Sequence, residues 1–288
     1  MKIIVFGGSG FIGSHVADVL TQKAHDVTIF DMKGSPYIRS DQHMVEGNIL
    51  NEDVVDSVIS GKDIVYNFIS MADMNKCVRE PVEATKVNVL GNSIILNACV
   101  RHKVKRYVYA STAYVYSKAG AVYKTTKQAA ELFVETYKST FGLNYTILRY
   151  GSLYGPRANS FNHIQNMIRE AIETGKITYY GTGEETREYI HVRDAAELSV
   201  KILDDKYLNQ HITLTGNQSL KYKDFLNMIS EMMDIKVIYK KKTEDTHYMT
   251  TPYSFSPKMG RKLTNNPHID LGQGLLDVMM RTNKEFQE

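Results

Sequence analysis

Tyr123 and Lys127 stand four residues apart at the start of a run of strong helix formers, so an α-helix would set both side chains on one face. That pairing suits proton transfer. A phenol ionises near pH ~10 and is a poor base at neutral pH, but an adjacent ammonium favours the phenolate and makes the pair a general acid/base for a hydroxyl or carbonyl. Ser111 and Thr112 follow an aromatic and β-branched run and offer a hydroxyl to hold the reacting oxygen. Tyr114 and Lys118 repeat the spacing in a segment directly after that run, where the two need not share a helical face. Tyr123 is the preferred of the two tyrosines.

A second group of residues points to a phosphate-bearing partner. Gly7, Gly10 and Gly13, with Phe11 and Ile12 between the last two, follow an apolar run and open a helical pattern. Glycines so placed allow a tight turn, close backbone approach to a pyrophosphate, and close packing of helix on strand, with the phosphate at the helix N-terminus. Asp31 ends the next apolar run, where an acid would bind an adenosine ribose 2′-hydroxyl. The same carboxylate would repel a 2′-phosphate, although Lys33 nearby could partly offset one, so NAD is the expected cofactor.

The elements that must hold these groups alternate. Short apolar runs at 3–6, 27–30, 64–68, 107–109 and 145–148 are interleaved with helical periodicity at 11–20, 84–100 and 128–137. Right-handed crossovers then build an α/β fold, a Rossmann-like doubly wound parallel sheet with helices on both faces. From about Tyr150 the pattern changes to a loop at Gly155-Pro156, helices at 164–174, 222–233 and 274–286, and short strands at 177–180 and 211–214. These predict a smaller mixed α/β C-terminal substrate domain. The expected division is 1–155 for the NAD-binding domain and 156–288 for the substrate domain, interleaved with the first because no linker separates them.

Composition narrows the class. With 288 residues, 43% hydrophobic, and 35 basic against 32 acidic side chains, the chain reads as an ordinary globular protein with a core of its own. A net charge of +3 without a long basic stretch does not suggest a nucleic-acid partner. Cys77 and Cys99 lie far apart and outside any metal-ligand spacing, so neither a metal nor a disulfide is expected. The first apolar run is too short for a signal-peptide core or a membrane span, which makes a cytoplasmic location, without a membrane partner, the expectation.

With those residues in view, the chain resembles the extended short-chain dehydrogenase/reductase family, in its branch of NAD-dependent nucleotide-sugar epimerases and dehydratases. The likeness runs through Gly7 to Gly13, Asp31, Gly47-Asn48, Asn88, Val104 to Thr112, Tyr123 with Lys127 and Glu131, Leu148-Arg149, Tyr154 to Arg157, Gly181 to Gly183, and Arg187 to Val192 with Asp194 to Ala196. The resemblance implies that Tyr123 is the general base, that Lys127 lowers its pKa and holds the nicotinamide ribose, and that Thr112 binds the sugar hydroxyl. It places Gly7, Gly10, Phe11, Ile12, Gly13, Asp31, Asn88 and Ser111 at the cofactor. Asn48, with Ile49, takes the place of the family's usual aspartate at the adenine. Residues 181–187 would contact the nucleotide, with Arg187 on its diphosphate, and Ser152 stands where the family commonly has an asparagine. A homodimer is also implied, through a four-helix bundle built on residues 84–100 and 128–137, with Ile94, Ile95, Leu132, Phe133 and Val134 as its apolar residues.

Two departures bear on the reaction. Dehydratases and decarboxylases of the family carry acidic or amide residues just after the catalytic hydroxyl, whereas this chain has Ala113 and Tyr114. That favours a nucleotide-sugar epimerase acting at C4 through a 4-keto sugar. A 4-keto reductase or dehydrogenase, a 4,6-dehydratase and a non-catalytic NAD-binding regulator are the alternatives. The connection between Thr112 and Tyr123 is also short, about ten residues, and leaves the sugar pocket more open.

Overall fold

Strand β1 (Lys2–Phe6) sends Ile3 and Val5 into one apolar cluster and Ile4 and Phe6 into another, as the two-residue period of a strand covered on both faces requires. The computed structural model describes residues 1–241 and 249–252, which belong to one compact unit. Around β1 lie α1 (Phe11–Gln22), β2 (Asp26–Asp31), β3 (Gln42–Glu46), α2 (Glu52–Ile59) and β4 (Ile64–Asn67). There follow α3 (Met74–Arg79), α4 (Pro81–Thr85), a π-helical turn (Lys86–Leu90), α5 (Gly91–Arg101) and β5 (Arg106–Thr112). A 3₁₀ turn (Ala113–Tyr116), α6 (Ala121–Phe141) and β6 (Tyr145–Tyr150) complete the first half.

The second half contains β7 (Ser152–Tyr154), α7 (His163–Thr174), β8 (Lys176–Tyr180), β9 (Thr186–His191) and α8 (Val192–Lys201). It continues with β10 (Gln210–Leu214), β11 (Ser219–Lys221), α9 (Tyr222–Met233) and β12 (Lys236–Lys240). The main sheet is seven-stranded, ordered β10-β6-β5-β4-β1-β2-β3, and every pair in it is parallel. Chain direction along the sheet reverses between β1 and β4. A crevice opens there at the carboxyl ends of the strands, which is where such sheets take ligands.

Strands β7, β8, β9, β11 and β12 form two small sheets, β11-β9-β7 and β12-β8, packed with α7 and α9 around Ile164, Met167, Ile177, Phe225 and Leu226. The run at 211–214, expected in that smaller domain, instead pairs with β6 as the outer strand of the main sheet, and α8 packs on α1. The chain thus returns to the large sheet after its first excursion. Strand β3 gave no alternation signal because it is an edge strand with a mostly half-exposed surface. The helix expected over 84–100 is interrupted by the π-helical turn. The helix expected at 274–286 lies outside the described residues.

Of the apolar residues expected at a helix-bundle interface, Ile94, Ile95 and Val134 are buried in this chain's own core, whereas Leu132 and Phe133 are exposed. Among the described residues no helix is long and apolar enough to cross a membrane.

Candidate active site

The turn from β1 into α1 is built as a backbone cradle. Gly7 has φ +79°, and a Cβ on Gly13 would lie 2.2 Å from the Gly7 carbonyl oxygen, so the helix can approach the strand this closely only without a side chain. Gly10 caps α1 without any side-chain hydrogen bond, which leaves the first amides of the helix open where Phe11 and Ile12 line a cleft of about 890 Å³. Asp31 closes β2 beside this turn; its carboxylate accepts hydrogen bonds from the Ser9 amide (3.1 Å) and the Met32 amide (2.8 Å). Burial pushes its pKa above the ordinary carboxylate value. The Gly47 amide donates to the Asp31 carbonyl (2.9 Å) and so brings Asn48 and Ile49 alongside. Asn48 is exposed, with its side chain accepting from the Leu50 amide (2.9 Å), while Ile49 is 3% exposed and belongs to the core. An open helix N-terminus, a cradle that any Cβ would fill and an acid at the next strand end fit a dinucleotide.

Further along the same cleft stand Ser111, Thr112, Tyr123 and Lys127. The 3₁₀ turn and Gly120 bring the last two into place. Gly120, at φ +99°, turns the short connection directly into α6, and a Cβ there would strike Lys124 and Tyr114. Thr112 hydrogen-bonds the Tyr123 phenol, which draws its pKa down, but burial outweighs this and holds the phenol well above its ordinary value. Lys127 donates to the Ala110 carbonyl (2.8 Å), and its ammonium lies 6.0 Å from the centre of the Tyr123 ring. Burial pushes the Lys127 pKa down to about 7, against the opposing pull of Glu131 and Cys77. The expected lowering of Tyr123 by Lys127 is therefore not what governs the protein without ligand; dehydration of both groups is. Ser111 adds a buried hydroxyl with no hydrogen-bond partner among the described residues. Tyr114 also lines the cleft, but the helical pairing with Lys118 does not form: the 3₁₀ turn ends at Tyr116, and Lys118 is exposed.

Ser152 on β7 and Arg187 on β9, paired strands of the small three-stranded sheet, also line the cleft, together with Glu185, His163 and Tyr222. Asn88 does not reach the cleft wall. Its amide oxygen accepts from Ser70 (3.1 Å) and the Met71 amide (2.7 Å), and its nitrogen donates to the Met71 carbonyl (3.2 Å) and Thr126 (2.9 Å). Its capacity is spent inside the protein, where it fixes the wall segment carrying Ser70 and the helix turn carrying Lys127.

The sequence reading missed what lies behind Lys127. Glu131, one turn further along α6, forms a two-pronged ion pair with Arg149 on β6, at 3.0 and 2.6 Å. Arg149 also hydrogen-bonds Tyr116 and stacks on its ring, and Gln128 donates to the Val115 carbonyl (2.8 Å). These contacts clamp the turn after Thr112 to the helix that carries Tyr123, where a longer loop could otherwise have done so. The four-residue steps from Tyr123 to Lys127 to Glu131 were a visible signal; the Ser111–Arg149 register that completes the network was not.

The NAD dependent epimerase/dehydratase family matches residues 3–214. The chain is 29% identical to the UDP-N-acetyl-alpha-D-glucosaminuronate decarboxylase of Bacillus cytotoxicus over 76% of each protein. It is 26% identical to a putative UDP-glucose 4-epimerase of Methanocaldococcus jannaschii, over 96% of this chain and 97% of that one. In fold it is similar to the crystal structure of the Bacillus cereus UDP-glucuronic acid 4-epimerase bound to UDP-glucuronic acid and NAD. The TM-score is 0.80 at 23% identity, covering 90% of this chain and 95% of the other. A glycine cradle, an acid-ended second strand and a Thr-Tyr-Lys group in one crevice, joined to a family match over most of its length, make this chain a member of the NAD dependent epimerase/dehydratase family.

Proposed function

We propose that this protein is a nucleotide-sugar epimerase that inverts C4 through a transient 4-keto sugar. The observation that carries the reading is the hydrogen-bonded Thr112–Tyr123 pair in a cleft whose wall, among the described residues, holds only one carboxylate, Glu185, on the substrate-domain side. Elimination of water needs an acid beside the reacting carbon. Here the positions after Thr112 are Ala113, which is fully buried, and Tyr114.

In this reading the Gly7–Gly13 turn holds the NAD pyrophosphate, Asp31 the adenosine ribose, and Ser111 and Lys127 the nicotinamide end. The chemistry that NAD supplies when bound is reversible hydride uptake from a carbinol carbon. Thr112 holds the sugar hydroxyl against Tyr123, and Tyr123 takes the hydroxyl proton as the carbon becomes a ketone. The sugar then turns its other face to the same groups, and Tyr123 returns the proton as the alcohol reforms with inverted configuration. Arg187 anchors the diphosphate during this turn, so the sugar alone moves. Nothing is oxidised overall, and both the hydride and the proton are restored.

A panel of UDP-, dTDP-, GDP- and CDP-sugars, incubated with protein and NAD, should yield a new C4 epimer by proton NMR while absorbance at 340 nm stays flat. A stoichiometric change in NADH would instead identify a reductase or dehydrogenase.

A homodimer belongs to the same proposal. Leu132 and Phe133 on α6 and Leu90 on the π-helical turn are 63%, 41% and 50% exposed, an apolar group that a second copy would cover. Light scattering should then return twice the 32.7 kDa chain mass, and a value near one chain mass would remove the dimer.

A further inference from the structure

The substrate-domain wall of the cleft carries a carboxylate that the epimerisation chemistry does not use. Two glutamates stand side by side before β9. Glu184 is exposed and satisfied by Lys221 (2.8 Å) and Lys223 (2.6 Å). Glu185 lines the cleft, is 7% exposed, and among the described residues its carboxylate has no hydrogen-bond or ion-pair partner. Its backbone is pinned from behind, because the Tyr222 amide donates to the Glu185 carbonyl (2.8 Å).

The surroundings say what such a group can receive. His163, hydrogen-bonded to the Tyr222 hydroxyl, is depressed by burial and by Arg187 and raised by Glu185, so both charges face the same pocket. Tyr179 stacks on Tyr222 at 4.5 Å and closes that side with aromatic surface. Burying a carboxylate without donors costs free energy unless a ligand brings them. A diphosphate cannot serve, being anionic, and it belongs with Arg187. What remains of a nucleotide-sugar is its donor groups, and since the sugar hydroxyls belong with Thr112 and Tyr123 in this reading while Glu185 stands two residues from Arg187 at the diphosphate, these are base N–H groups, which guanine presents side by side, or the ribose hydroxyls.

We propose that Glu185 is the residue that reads hydrogen-bond donors on the substrate's nucleoside and so selects the nucleotide. This rests on the nucleotide-sugar reading above. The opposite expectation, a carboxylate that merely supports the fold, predicts loss of stability when it is neutralised, whereas a recognition group left unpaired predicts a gain.

The test uses NAD-loaded protein, wild type and Glu185→Gln, with Glu185→Ala as second variant. Calorimetric binding of UDP, 2′-deoxy-UDP and GDP is combined with thermal unfolding in the absence of nucleotide. Neutralising Glu185 should raise the nucleotide-free unfolding midpoint and weaken the preferred nucleotide about tenfold or more. A loss confined to GDP assigns Glu185 to base donors; a wild-type preference for UDP over 2′-deoxy-UDP that vanishes in the variants assigns it to the ribose. Affinities within about twofold for all three nucleotides, or a midpoint that falls in both variants, overturn the proposal. Wild-type protein that binds NAD but no nucleotide overturns it together with the substrate reading. Nucleotide binding without epimer formation in the NMR panel removes the epimerase reading alone.

Discussion

Tyr123→Phe should lower turnover by about 10²–10⁴-fold while leaving NAD and nucleotide affinity nearly unchanged, because it removes one oxygen and no packing volume. The ring remains against Lys127, so the loss reads the proton transfer itself. Thr112 keeps its own anchor, accepting from the Tyr114 amide (3.2 Å), and the turn that holds it does not depend on the phenol. Single-turnover measurement with the NAD-loaded variant separates this from binding. A loss under tenfold would move the acid/base role to another group. Tyr114→Phe, which alters the other tyrosine on the cleft wall near Thr112, is the matched control and should cost little.

How much of this was legible in the sequence depends on the range over which each feature is written. The Gly7–Gly13 turn, the end of β2 at Asp31 and the Tyr123–Lys127 spacing are local patterns, and the structure brings each to the crevice or its edge. The two-faced strands were legible as well, since Ile3 to Phe6 must be apolar at every position when both faces are covered. What was not legible depends on partners distant in sequence. Asn88 is read as a cofactor residue from its position, yet its hydrogen bonds run to Met71 and Thr126. The run at 211–214 has the composition of any short strand; only its pairing with β6 assigns it to the main sheet. Glu185 differs from Glu184 in nothing but environment, and burial is a property of the fold.

Glu131 joins the two kinds of information, and its replacement should have the largest effect on stability. Its carboxylate and the Arg149 guanidinium are 8% and 11% exposed, so Glu131→Ala leaves a buried cation without its partner. A loss of about 3–5 kcal/mol in urea unfolding is expected, and a loss under about 1 kcal/mol would mean that water or the Glu135 carboxylate, whose charge already favours the Arg149 cation, rearranges to replace it.

Glu131→Gln, which keeps the volume, tests the link to chemistry. With the Tyr123 phenol held well above its ordinary pKa, Lys127 is the first of the two to give up its proton, and the form of the site able to accept the sugar proton is the one that has already lost it. That first loss is set by Lys127, whose pKa of about 7 stands below its ordinary 10.5. Between those values the unfolded chain holds the proton and the folded protein does not, so stability rises with pH across that window. Over the lower part of it kcat/KM should rise through about pH 7 to a plateau. Because Glu131 raises the Lys127 pKa, Glu131→Gln should move that limb to lower pH as well as weakening the fold. A limb that stays in place while stability falls would show that Glu131 serves the packing of α6 on β6 and not the proton inventory of Tyr123 and Lys127.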